Sequence, residues 1–188
     1  MERDLSAIME EYEELINLGL YRDSLKLFDE ALEIDPNNAQ VLNDQAVVFS
    51  SLNRNGRALA CYKKSLEIDP NNTETLSNLG FFYQKLEKYD LAIETFDKAL
   101  EIDDKNVVTL SNKAATLHKL GLYEEALDTY HKILKINPKH VNTLINVSVT
   151  SYTLNEYDIA LKFIEKALRL EPYNKIALDT KREIRGMI

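Results

Sequence analysis

Three asparagines, Asn78, Asn112 and Asn146, stand 34 residues apart. A carboxamide donates and accepts at once, so such a series can pair with both the N–H and the C=O groups of an extended peptide backbone. The other reactive side chains form no convergent set. The histidines are His118, His131 and His140, and the last two pair obviously with no nucleophile. No group of His, Cys and carboxylate residues has metal-ligand spacing. Gly19, Gly56, Gly80, Gly121 and Gly186 make no phosphate-binding loop. The expectation is a chain with no catalytic residues, no metal and no cofactor, and therefore no enzyme.

Composition narrows the partners. The chain has 188 residues, 45% of them apolar, which is enough for one domain or one repeat array with a sizeable core. Its net charge of −8 argues against nucleic acid, which calls for a basic stripe, and against an anionic membrane surface. No apolar run has the length of a membrane-spanning helix. The acidic start, Arg3-Asp4 after Met1-Glu2, lacks the basic-then-apolar order of a secretory signal. One cysteine, Cys61, permits no internal disulfide. These features point to a cytoplasmic setting.

The spacing of the asparagines is the spacing of the whole chain. Pro36, Pro70, Pro138 and Pro172 are the only prolines, and they fall at multiples of 34, with Asp104 at the missing position. Repeats set at 5–38, 39–72, 73–106, 107–140 and 141–174 align in columns. The fourth slot holds Ile8, Leu42, Leu76, Leu110 and Leu144. The eighth holds Ala46, Gly80, Ala114 and Ser148, with Tyr12 in the first repeat. The twentieth holds Ser24, Ala58, Ala92, Ala126 and Ala160, and the twenty-fourth Phe28, Tyr62, Phe96, Tyr130 and Ile164.

Each repeat reads as two helices, because apolar residues recur three and four apart, as in Leu76, Leu79, Tyr83 and Leu86 and then Tyr89, Ala92, Ile93 and Phe96. Gly121 suits a left-handed turn between the two. The proline stops the second helix, and Asn37, Asn71 and their neighbours can cap the next. Helices of this length are marginal alone, so stacking must stabilise them, with small residues at slots eight and twenty allowing close approach. Cys61 falls on the outward side of a second helix. The expected fold is all-α: one array over 1–188, ending in a capping helix over 175–188 whose Lys181 and Arg182 give it a polar outer face. The first repeat, with Glu10-Glu11-Tyr12-Glu13, reads as an end cap with a solvated face or, alternatively, as a partner contact.

These columns resemble the tetratricopeptide repeat (TPR) family, most closely in the third repeat, with Leu79-Gly80, Tyr83, Ala92, Phe96 and Ala99 in place. The resemblance implies a right-handed superhelical solenoid whose first helices line a concave groove for protein or peptide partners. It puts slots two, five, six, nine, twelve and thirteen on the groove. The residues so implicated are Asp44, Asn78, Asn112 and Asn146, then Val47 and Phe81, then Gln84, Lys85, His118, Lys119 and Tyr152. The asparagines look like the ladder in the TPR region of O-GlcNAc transferase and of peroxisomal import receptors. The alternative is that each asparagine only stabilises its own stack. The clamp by which some TPR proteins capture chaperone tails needs lysine or arginine where Met9, Glu13, Asp44 and Glu74 stand here, so that ligand is not expected.

Three functions follow: a non-enzymatic adaptor or scaffold binding a peptide in the groove; a self-assembling structural array, a homo-oligomer joined through its end helices; or the TPR region of a protein with a separate catalytic domain, such as a glycosyltransferase.

Overall fold

A computed structural model describes residues 3–187. Among them are eleven α-helices and no strand. The first helices of the repeats are α1 (Leu5–Asn17), α3 (Ala39–Ser51), α5 (Thr73–Lys85), α7 (Val107–Lys119) and α9 (Val141–Thr153). The second helices are α2 (Tyr21–Ile34), α4 (Asn55–Ile68), α6 (Tyr89–Ile102), α8 (Tyr123–Ile136) and α10 (Tyr157–Leu170), and α11 (Lys175–Arg185) follows. Every boundary recurs at the 34-residue period read from the sequence. The helices form two compact units, Met1–Leu86 with α1–α5 and Glu87–Ile188 with α6–α11.

The turn within each repeat has one recurring solution. The residue two past the end of the first helix is left-handed: Gly19 (φ +73°), Asn53 (+56°), Glu87 (+58°), Gly121 (+79°) and Asn155 (+61°). The next N–H then reaches back to the helix, as Leu20 to the Leu15 carbonyl (2.8 Å), Arg54 to Phe49 (2.8 Å), Leu122 to Leu117 (3.0 Å) and Glu156 to Ser151 (2.9 Å). This is the Schellman closure, which satisfies carbonyls the helix leaves orphaned.

The turn between repeats is built from side chains. Asp35, Asp69, Asp103 and Asn137 each leave the helix with extended backbone. Each accepts the N–H two residues on, at 3.0–3.2 Å, from Asn37, Asn71, Lys105 and Lys139. The next helix starts when Asn38, Asn72, Asn106 or Asn174 accepts the N–H three residues later. The capping oxygens thus belong to the neighbours of Asn37 and Asn71, whose own part is to donate their N–H groups. His140 replaces the asparagine before α9 and makes no such cap; its Nδ1 meets Thr143 Oγ1 at 2.8 Å. Asp104 changes nothing in this turn: α6 stops at Ile102 as α2, α4 and α8 stop at the matching isoleucines.

In the first unit two apolar clusters fill the interior, one around Ile8, Tyr12, Leu27 and Phe28, the other around Ala46, Phe49, Ala58, Tyr62 and Phe82. In the second, Leu110, Ala114, Ala126 and Tyr130 form one cluster and Leu144, Ala160, Ile164 and Ile184 another. Ala92 and Ala126, read as close-packing residues, are fully buried. Slots eight and twenty do meet: Ser148 Oγ donates to the Ala160 carbonyl at 2.7 Å. Helix α11 packs Ala177 and Ile184 inward, but Leu178 is 41% exposed, although the fourth-slot residues of all five repeats are buried. In the repeats the second helix covers that slot, and no second helix follows α11 among the described residues. Exposed Ile176 and Leu178 therefore accompany Arg182 and Arg185, so the last helix is less polar outside than the sequence suggests.

The first helix keeps Glu10, Glu11 and Glu13 exposed while Tyr12 is buried, its ring 4.4 Å from that of Phe28. The Tyr12 hydroxyl donates to Asp44 Oδ2 at 2.9 Å. Asp44 Oδ1 accepts from Gln40 (3.1 Å) and Asn43 (3.2 Å), and both amides also reach Glu74 Oε1 at 3.3 Å. Five side chains thus tie α1, α3 and α5 together around two carboxylates. Burial pushes the Asp44 pKa up to about 6 against the pull of the Tyr12 hydrogen bond, and the Glu74 charge adds to the rise.

Two predictions follow from these turns and this network. At residue 104 the preceding backbone (φ −131°, ψ 90°) matches that before Pro36 and Pro70, so Asp104→Pro fits without strain. It should stabilise the chain by about 0.4–1 kcal/mol through loss of unfolded-state freedom, read as a raised urea midpoint. The second concerns pH. A carboxyl with a raised folded pKa binds its proton more tightly folded than unfolded, so ionisation destabilises. That cost is absent below about pH 4, accrues towards pH 6 and is complete above it. Asp44→Asn keeps an acceptor for Gln40 and Asn43 and offers an N–H to Tyr12. It should raise stability at pH 7.5, leave it little changed at pH 4, and flatten the profile between, measured by urea denaturation.

Candidate functional site

The first helices carry the residues singled out by sequence, and they differ sharply in what their polar atoms already do. In the first unit, Asp44 belongs to the network described above. Asn78 Nδ2 donates to Asn43 Oδ1 at 3.1 Å, so this amide links α5 to α3. Lys85 Nζ donates to the Ser50 carbonyl at 2.7 Å. Gln84 is buried, 8% exposed. Val47 is half-buried against the second cluster, while Phe81 is 51% exposed.

In the second unit, α7 and α9 enclose a pocket of about 200 Å³ lined by Ala115, His118, Lys119, Asn146, Val149 and Thr150, with Tyr130 of α8 beneath. Its order comes from a short relay. Thr150 Oγ1 donates to the Asn146 carbonyl at 2.8 Å, so its hydrogen is committed, and it accepts from His118 Nδ1 at 3.0 Å. This pairing assigns the His118 proton to Nδ1. The ring also lies edge-on to Tyr123, with centroids 5.0 Å apart, and burial lowers its pKa. In a nucleophile–base pair the hydroxyl would donate to the ring; here the direction is the reverse.

Two polar groups at this pocket have no hydrogen-bond partner among the described residues: the Asn146 carboxamide and the Tyr130 hydroxyl, the latter on a residue only 2% exposed. Burial pushes the Tyr130 phenol up to about 12, which keeps its proton in place as a donor. Lys119 is exposed and in no ion pair. Asn112 is half-buried on α7, and Tyr152 packs its ring 5.8 Å from Tyr157. The sequence-derived set thus separates. His118, Lys119 and Asn146 come together; Asp44 and Asn78 serve internal networks.

Sequence reasoning missed Tyr130 and Thr150. Tyr130 sits in an apolar column and was read as core; the signal was the hydroxyl in a column that Phe28, Phe96 and Ile164 also fill. Elsewhere, Cys61 Sγ donates to Gln45 Oε1 at 3.3 Å and burial raises its pKa, the opposite of activation. Among the described residues no cluster of His, Cys, Asp and Glu is placed to hold a metal ion, and no helix is long and apolar enough to cross a membrane.

Models of the tetratricopeptide repeat match residues 27–60, 73–106, 107–140 and 141–174, and a TPR repeat model matches 48–87. No curated protein matches the chain by sequence. Solved structures share its fold. YrrB, described as a TPR protein with an unusual peptide-binding site, is 22% identical with a TM-score of 0.75, over 97% of this chain and 100% of that one. PilF of Pseudomonas aeruginosa is 20% identical with a TM-score of 0.86, over 97% and 83%. PilW, a type IV pilus biogenesis factor, is 20% identical with a TM-score of 0.82, over 97% and 91%. With its 34-residue columns, its paired helices and repeat matches that together reach from residue 27 to 174, the chain belongs to the tetratricopeptide repeat family.

Proposed function

We propose that this protein-interaction module takes an extended segment of a partner protein on the first-helix face of its second unit, across α7 and α9. The observation that carries this reading is the pair of unpartnered groups at one pocket, the Asn146 carboxamide and the Tyr130 hydroxyl. A carboxamide facing a peptide plane satisfies the N–H and the C=O together. Ala115 and Val149 beside it provide apolar contact for a side chain. YrrB, with its peptide-binding site on the same fold, supports the assignment of a peptide as ligand. A second reading, association between copies, has its own observation in exposed Ile176, Leu178 and Met187 near the C-terminal end. Sedimentation that depends on protein concentration would favour it.

The two asparagines with assigned roles make the test. Peptides selected from a random displayed library should bind Asn146→Ala about fivefold more weakly than wild type, the loss of one net hydrogen bond of about 1 kcal/mol. The melting temperature of Asn146→Ala should not move, because the amide has no partner to lose. Asn78→Ala should instead cost about 1–3 kcal/mol of stability, since it orphans the Oδ1 of fully buried Asn43. Peptides that bind Asn146→Ala and wild type equally would place the site elsewhere.

A further inference from the structure

The pocket between α7 and α9 has a chemical bias that the peptide reading alone does not explain. The chain carries 31 acidic residues and a net charge of −8, yet no carboxylate lines this pocket. The first helices of the first unit differ: Glu10, Glu13, Asp44 and Glu74 stand on them. At the pocket the uncommitted groups are the hydroxyl of the otherwise buried Tyr130, a carboxamide and the ammonium of Lys119.

We propose that this pocket selects an acidic side chain, aspartate or glutamate, of the bound segment, an inference that rests on the peptide reading above. Burying a carboxylate demands hydrogen-bond donors and a nearby cation. Tyr130 supplies a donor from the floor, and Lys119 supplies the charge from the side open to solvent. Thr150 cannot serve as a donor, because its hydrogen already goes to the Asn146 carbonyl. His118, fixed through Nδ1 on Thr150, forms a wall. Ala115 and Val149 suit the methylenes of the entering side chain. A volume of about 200 Å³ lies below the range of whole small-molecule sites and suits one side chain. A side chain fits better than a chain terminus. The Asn146 amide offers an acceptor as well as a donor, which a continuing main chain uses in full and a terminal carboxylate leaves half used.

The fold does not need the Tyr130 hydroxyl. Phe96 and Phe28 fill the same slot buried and without one. Tyr130→Phe therefore removes the proposed donor and no internal bond.

The test uses the full chain labelled with 15N and three short probes: Ac-Ala-Ala-Glu-Ala-Ala-NH2, its Gln counterpart, and Ac-Ala-Ala-Ala-Ala-Ala with a free C-terminus. The Glu probe should give saturable shifts at the amides of Lys119 and Asn146, with affinity at least tenfold above the Gln probe. Tyr130→Phe and Lys119→Met should each remove most of that preference, with the melting temperature of Tyr130→Phe unchanged. Equal binding of the Glu and Gln probes at the pocket overturns the acidic preference and leaves the peptide reading standing. Stronger binding of the free C-terminus overturns the choice of a side chain. A preference that survives Tyr130→Phe overturns the role of the hydroxyl, and no saturable shift with any probe removes both readings.

Discussion

Ser148 donates its hydroxyl to the main-chain carbonyl of Ala160 at 2.7 Å, across the crossing of two helices of one repeat. A side chain of one atom beyond Cβ spans the gap, so the helices there are almost in backbone contact. The rest follows from this approach. Helices of 13 and 14 residues have little stability in water by themselves. They persist because each buries an apolar stripe against its neighbours, and the stripe closes only where at least one of slots eight and twenty stays small. Larger residues in both slots would hold the helices apart and leave voids along the apolar columns. The first repeat shows the constraint from the other side. Tyr12 occupies slot eight while slot twenty of its repeat holds small, buried Ser24, and it turns its ring onto Phe28 and its hydroxyl to Asp44.

Once the columns are buried, the polar residues of the first helices divide by whether they have found partners. A buried amide or hydroxyl must be satisfied, or it costs more than the bond is worth. In the first unit this demand is met internally: Asn78 serves Asn43, Gln40 and Asn43 serve Asp44 and Glu74, and Lys85 serves the Ser50 carbonyl. In the second unit the Thr150–His118 relay is closed in the same way, but Asn146 and the buried Ser151 hydroxyl of α9 are left over, as is the Tyr130 hydroxyl of α8. The same residue type at the same slot thus holds a stack at position 78 and stands free at position 146. Position in the repeat does not decide between them. The side chain one repeat earlier at the fifth slot differs: Asn43 offers Asn78 a carboxamide oxygen, whereas the corresponding Ser111 is shorter, donates its hydroxyl to the Val107 carbonyl and makes no bond to Asn146.

Most of the backbone was legible in the sequence, because a period multiplies every weak signal by the number of repeats. Eleven helices, their boundaries and the buried columns follow from it. The turns were legible in part. Proline looked like the stop signal, but α6 ends on schedule at Ile102 without one, so the stop lies in the extended residue before it, which accepts the N–H two residues on. Gly121 announced a left-handed turn; Asn53 and Asn155, a residue type that visits this region, signalled it more weakly, and Glu87 not at all, since there the closing bonds impose the conformation on a residue with no preference for it. The candidate site was legible only as a face. Slot numbers grouped Gln84 with His118, yet Gln84 is buried and His118 lines a pocket. Pairing between repeats depends on neighbours that a column cannot display.

Tyr130 shows how a core residue can also line a candidate site. A repeat column specifies size and shape, and phenylalanine, tyrosine and isoleucine all meet the demand at slot twenty-four. The ring of Tyr130 does what that of Phe96 does, filling the space under the first helices, so stability accounts for all seven of its side-chain carbons and for nothing at the oxygen. The hydroxyl gains nothing from the packing of a column that phenylalanine fills equally well at position 96. The oxygen opens on a pocket whose other free groups, Asn146 and Lys119, are likewise unused by the fold. Three groups from α7, α8 and α9, each unexplained by packing, converge on one small volume. On the reading proposed above, one bound segment completes all three.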